Sequence, residues 1–176
     1  DIKVFNKKES MGICFIGKRN FSRFIKNYIY NSPGYIKNLS GTVLGRHNGL
    51  FNYTIGQRKG IKIGGRKDAL SKPWFVVKKD IDNNILLVTQ NEKELLYKGD
   101  INLKSVNWIT TSKNKLRCCV RFRHGGKLVP AQINKKNGTY TVSLEKSERA
   151  ITPGQSAVFY NNDKCLGGGI VSKLIV

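Results

Sequence analysis

No apolar run in this sequence is long enough to cross a membrane as a helix, and no signal peptide opens it. No amphipathic helix with a long basic face argues for binding to a membrane surface. The four cysteines form neither a C-x-x-C pair nor the spacing of a secreted disulfide framework, so a reducing, cytoplasmic compartment is expected. There are two histidines, neither in a recognisable setting, which leaves a Ser-His-Asp hydrolase without support. The G-x-x-x-x-G-K-[ST] spacing of a P-loop is absent. Acid is scarce: 11 Asp and Glu face 32 Lys and Arg, for a net charge of +21 in 176 residues. Such a balance suits a polyanionic partner such as nucleic acid, although a chain rich in Lys, Asn and Ile acquires positive charge from base-composition drift as well.

What is present begins with "ESMGICFIGKRNFSRFIKNYI" (9–29). Cys14 sits in an apolar run between Gly12 and Gly17, as a core residue would. Ahead lies a basic amphipathic helix with Phe21, Phe24, Ile25, Tyr28 and Ile29 on one face, Asn20 as N-cap and Pro33-Gly34 as its end. The plain core reading comes first; positive charge and a helix N-terminus would favour a thiolate, which makes Cys14 a reagent only if its thiol is partly exposed. The chain starts at Asp1 inside what reads as a connected segment, and a longer parent protein is expected.

Beyond the helix the pattern changes to short β-type runs. Residues 74–90 read as a hairpin turning at Asn83-Asn84, and 115–133 as another turning at Gly125-Gly126. Strands at 139–145, 156–160 and 165–171 follow at the even spacing of a small closed barrel. Pro130 suggests an edge or a bulge. The segment from Gly41 to Gly65 is dense in glycine and basic residues; Arg58, Lys59 and Lys62 could meet phosphates, or the glycines could simply make turns.

In "KLRCCVRFR", strand alternation sends Leu116, Cys118, Val120 and Phe122 to one face and Arg117, Cys119, Arg121 and Arg123 to the other. The arginine face is either a phosphate-binding stripe or a solvated surface. Zinc is not expected from Cys118, Cys119, Cys165, His47 and His124, because adjacent strand cysteines diverge. In "AITPGQSAVFY", the Pro153-Gly154 turn presents Gln155, to bond a base or to cap the turn; Lys135, in "NKKNG", reads as a solvated loop charge.

Together, "GICFIG", "YTIGQRKG", "PWFVVKKD", "TPGQSAVFY" and "CLGGGI" resemble, in order over nearly the whole chain, the tRNA-specific 2-thiouridylase family. The resemblance implies a mainly β protein: the end of an ATP-binding PP-loop domain (1–32), a small β-rich central domain (33–102) and a C-terminal six-stranded β-barrel (103–176) that binds tRNA. It implies that Cys14 carries a persulfide and closes a transient disulfide with a cysteine outside this chain. Arg121, Phe122 and Gln155 match family positions that contact tRNA, Phe122 standing where tyrosine is usual and Glu9 where aspartate is. ATP with Mg²⁺ would be bound by the part bearing the family's SGGxDS-type loop, which these residues lack, and no metal site is expected in this chain. The implied reaction replaces the C2 oxygen of the wobble uridine (position 34) of tRNA by sulfur through adenylation. The implied partners of a monomeric protein are the tRNA anticodon stem-loop and a sulfur-relay protein or cysteine desulfurase. The alternatives are a non-enzymatic basic RNA-binding barrel module, for which charge and β-pattern suffice, and a sulfur-carrier protein without ATP chemistry.

Overall fold

The computed structural model describes Phe24, Tyr28 and residues 32–63 and 72–175. Cys14, Glu9 and most of the expected opening helix lie outside the described residues. Phe24 is helical, and its ring centroid lies 5.0 Å from that of Tyr28, the neighbour four positions on.

The described chain is mainly β. Four strands, β1 (Gly34–Asn38), β2 (Val43–His47), β3 (Phe75–Asp80) and β4 (Ile85–Thr89), form a sheet in the order β2-β1-β4-β3. β3 and β4 are the expected hairpin, with Asp80 holding the turn through Asn83 N–H at 3.1 Å and Asn83 Nδ2 at 2.9 Å. The β1–β4 pair is parallel. Ile36, Val76, Leu86 and Val88 are fully buried in this sheet, with Ile61 and Ile63 packed against it.

A short linking strand, β5 (Leu96–Tyr97), leads to the second core. There β6 (Asp100–Trp108), β7 (Lys115–Arg121), β8 (Val129–Lys136), β9 (Thr139–Leu144), β11 (Ser156–Asn161) and β12 (Lys164–Ile175) close a barrel in the order β11-β12-β6-β9-β8-β7. β10 (Glu148–Arg149) leaves the barrel to pair with β5. Alternate residues are buried along β9, from Val129 to Ile133 of β8 and at Ala157 and Phe159 of β11, the period-2 alternation that the sequence displays. Phe159, Ile101, Ile133, Val120, Val142 and Val171 fill the interior with no side-chain exposure. The glycines of "CLGGGI" permit the closure: a Cβ on Gly167 would collide with the Asn107 carbonyl of β6, and one on Gly168 would lie 2.8 Å from the Ala157 carbonyl of β11.

Two expectations are corrected. Pro130 lies on neither an edge nor a bulge: it is the second residue of β8, paired in continuous register with Cys119. Its carbonyl accepts Glu145 N–H at 3.0 Å just past the end of β9, so the missing N–H falls at the end of the β8–β9 ladder, where it costs one terminal bond rather than breaking the ladder's middle. Lys135 is not a loop charge either. It lies in β8, with its ammonium 5.1 Å from the ring centroid of Tyr140.

Candidate nucleic-acid interface

The outer face of β7 carries Arg117 and Arg121, Arg123 follows just past the strand's end, and their surroundings differ. Arg117 forms a fork on Glu145, with Nε to Oε1 at 2.8 Å and Nη2 to Oε2 at 3.0 Å, which holds the Glu145 carboxyl below its usual range. Arg123 points its Nη2 at the Ala150 carbonyl, 2.6 Å away, with the Ile55 carbonyl at 3.4 Å. Arg121 has neither a carboxylate nor a carbonyl among the described residues. Its guanidinium lies over the ring of Tyr160, 5.1 Å from the centroid, in the neighbouring strand β11. Nε is buried against the ring without an acceptor, so the terminal nitrogens carry what the fork can offer to an incoming group. A planar guanidinium supported on an aromatic face is suited to a phosphate or a base edge.

Phe122 points the other way. It is 6 % exposed and belongs to the barrel core, so the Arg121-Phe122 pair straddles the sheet, the arginine outside and the ring inside. Gln155 is half-buried and holds a turn: Oε1 accepts Thr152 N–H at 3.1 Å, and Nε2 lies 3.4 Å from the Ala150 carbonyl, the same oxygen that receives Arg123. Gln155 and Arg123 therefore adjoin, while Arg121, the last residue of β7, stands two residues before Arg123.

The basic glycine-rich segment is built in the same way. Gln57 Oε1 accepts Thr54 N–H at 2.9 Å and its Nε2 donates to the Lys59 carbonyl at 2.9 Å. Gly56, at φ +82°, makes the turn that other residues resist. Arg58, Lys59 and Lys62 project from it, exposed.

Cys118, Cys119 and His47 are accounted for by the fold. Cys118 faces the barrel interior, where burial pushes its thiol up to about 11, and Cys119 lies half-buried on the opposite face. His47 is fully buried; Nε2–H donates to the Asn84 carbonyl at 3.1 Å, and Nδ1 accepts Gly49 N–H at 3.0 Å, which assigns a neutral tautomer.

Tyr160, Arg149 and the role of Arg123 were missed in the sequence. Alternation in "SAVFY" does put Tyr160 outside, but the closure of β11 on β7, which brings it to Arg121, has no local signal.

Two family models match the chain: a tRNA methyl transferase PRC-barrel domain over residues 22–90 and an aminomethyltransferase beta-barrel domain over residues 98–171. Among curated proteins, the tRNA-specific 2-thiouridylase MnmA of Pseudomonas fluorescens is 46% identical over 170 residues, covering 94% of this chain and 45% of that protein. MnmA 1 of Geobacillus kaustophilus is 45% identical over 174 residues, 97% of this chain and 46% of its own length. A Francisella tularensis MnmA is 42% identical over 176 residues, 97% of this chain and 49% of its own length. The chain thus spans about half the length of the curated relatives it matches.

Proposed function

The chain belongs to the tRNA-specific 2-thiouridylase family, whose C-terminal portion it matches, and from that premise we propose that it holds the tRNA anticodon arm while sulfur is delivered through Cys14. The observation that carries the first half is Arg121: on a face where Arg117 and Arg123 are engaged, it is supported on Tyr160 with no carboxylate or carbonyl partner among the described residues. Gln155 borders the same patch, and Phe122 anchors the strand from within. Phosphate contacts there would position the anticodon arm, and a base unstacked from its loop would be within reach of the catalytic part.

The glycine-rich turn does not fit a triphosphate. In the glycine-rich turn, Gly56 N–H is donated to the Val76 carbonyl at 2.7 Å, Gln57 N–H to the Thr54 carbonyl at 3.0 Å and Thr54 N–H to Gln57 Oε1 at 2.9 Å, which leaves these three amides unavailable to a triphosphate. We assign activation of the uridine oxygen by ATP with Mg²⁺ to the family's PP-loop portion, as the resemblance implies, and no step of it to these residues.

Sulfur transfer is proposed at Cys14, loaded as a persulfide by a relay protein or a desulfurase in the cytoplasm. The outer sulfur bonds to C2 of uridine 34 as the activated oxygen leaves. A second cysteine, outside this chain, attacks the inner sulfur; the S–S bond breaks, the outer sulfur stays on C2, and a disulfide to Cys14 forms. A thiol reductant then resets the pair. Serine keeps the volume of Cys14 but cannot hold a persulfide. In a full-length enzyme containing this chain, Cys14→Ser should abolish 2-thiouridine, read by mass spectrometry of tRNA nucleosides, with tRNA affinity within about twofold of wild type, a difference of about 0.4 kcal/mol. Normal thiolation would show Cys14 to be structural.

A further inference from the structure

The turn closed by Gln155 has a twin in the other sheet. In Thr54-Ile55-Gly56-Gln57 and in Thr152-Pro153-Gly154-Gln155, the glutamine Oε1 accepts the threonine N–H, at 2.9 and 3.1 Å, and the glutamine N–H donates to the threonine carbonyl, at 3.0 and 3.3 Å. Both glycines have positive φ, +82° and +90°. Each turn then forms the same pair of bonds to a valine: Gly56 N–H to Val76 O at 2.7 Å and Val76 N–H to Gln57 O at 3.0 Å, against Gly154 N–H to Val171 O and Val171 N–H to Gln155 O, both at 2.8 Å.

The twins meet. Arg123 bridges Ile55 of the first turn and Ala150, the carbonyl shared with Gln155 of the second. Arg149 reaches the Gly56 carbonyl at 3.4 Å while its guanidinium covers the ring of Phe75, 5.0 Å from the centroid. The contact is close enough that a Cβ on Gly56 would lie 2.8 Å from that of Ala150. Both Arg123 bonds leave one nitrogen, Nη2, so a single side chain ties a carbonyl of the first turn to the carbonyl that Gln155 of the second also approaches.

We infer that Arg123 is a positioning residue: it locks the sheet and the barrel into one body, so that Arg58 and Lys59, just after the first turn, and Arg121, the last residue of β7 and two positions before Arg123, meet an RNA backbone as one surface. The inference rests on the tRNA-binding reading. Arg123 acts through the joint and not by touching RNA.

The test pairs ¹⁵N relaxation of the RNA-free chain with titration of an anticodon stem-loop RNA at several salt concentrations. Wild type should show one rotational correlation time for both units. Arg123→Ala should show two, with RNA affinity down about tenfold and the slope of log affinity against log salt unchanged, because no phosphate contact is lost. Arg123→Lys should fall between, and its far-UV spectrum guards against mere unfolding. A single correlation time in Arg123→Ala would overturn the joint. Two correlation times with undiminished affinity would overturn the positioning role, and a shallower salt slope would make Arg123 a contact instead. Failure of the wild type to bind RNA would defeat the functional reading and the RNA half of the inference with it, while relaxation would still decide the joint.

Discussion

Arg121 and Lys136 each carry one positive charge on the outside of the barrel. Arg121 lies against Tyr160, whereas Lys136 ends β8 exposed beside the Asn137-Gly138 turn. A charge-assisted hydrogen bond is worth about 1.5–3 kcal/mol, so Arg121→Ala should weaken anticodon stem-loop binding about tenfold or more and Lys136→Ala much less. Titration at fixed salt separates the two, and equal losses would mean that the charge acts diffusely. His47 makes a different prediction. Burial lowers its pKa despite the bond to Asn84, so the folded ring stays neutral while the unfolded chain takes up a proton near pH 6.5. The unfolded state binds more protons below that point, so stability should fall as pH drops from about 6.5, and the fall should be smaller in His47→Gln. Denaturant unfolding at pH 7.5 and pH 5 checks it. At this scale alternation correctly placed the arginines outside and Phe122 inside. It could not tell that Arg117 is neutralised by Glu145, 28 positions away, because that pairing depends on the β7-β8-β9 register.

Both hairpins and the barrel strands were legible as elements because apolar residues alternate with polar ones and the turns carry Asn or Gly. What failed was the reading of Pro130, judged by its missing N–H without knowledge of which neighbour that position faces. The parallel β1–β4 pair and the β5–β10 link were not legible, being long-range pairings of short strands. The T-x-G-Q turn is visible in the sequence twice, but its equivalence in the two units emerges only from the bonds each copy makes. Gly154→Ala should cost about 1–2 kcal/mol through strain at φ +90°, with open space around the new methyl, whereas Phe159→Ala should cost about 3–5 kcal/mol by opening the barrel core. Urea unfolding of the two variants should rank them in that order, and a neutral Gly154→Ala would show that the turn relaxes freely.

For the molecule as a whole, among the described residues no helix is long and apolar enough to cross a membrane, and the net charge of +21 is matched by cationic groups on both units. The fold class was legible from pattern and resemblance together; the way the two units adjoin was not, since it depends on single carbonyls presented to Arg123. Binding carried by phosphate contacts releases counterions, and each neutralised phosphate contributes roughly 0.7 to 0.9 to the salt slope. The most direct measurement is the affinity of the 176-residue chain for an anticodon stem-loop RNA across a salt series. Binding that weakens with a log-log slope of about −1.4 or steeper, two phosphates or more, is predicted; no binding at low salt, or binding indifferent to salt, would contradict the assignment of this chain as the RNA-holding part.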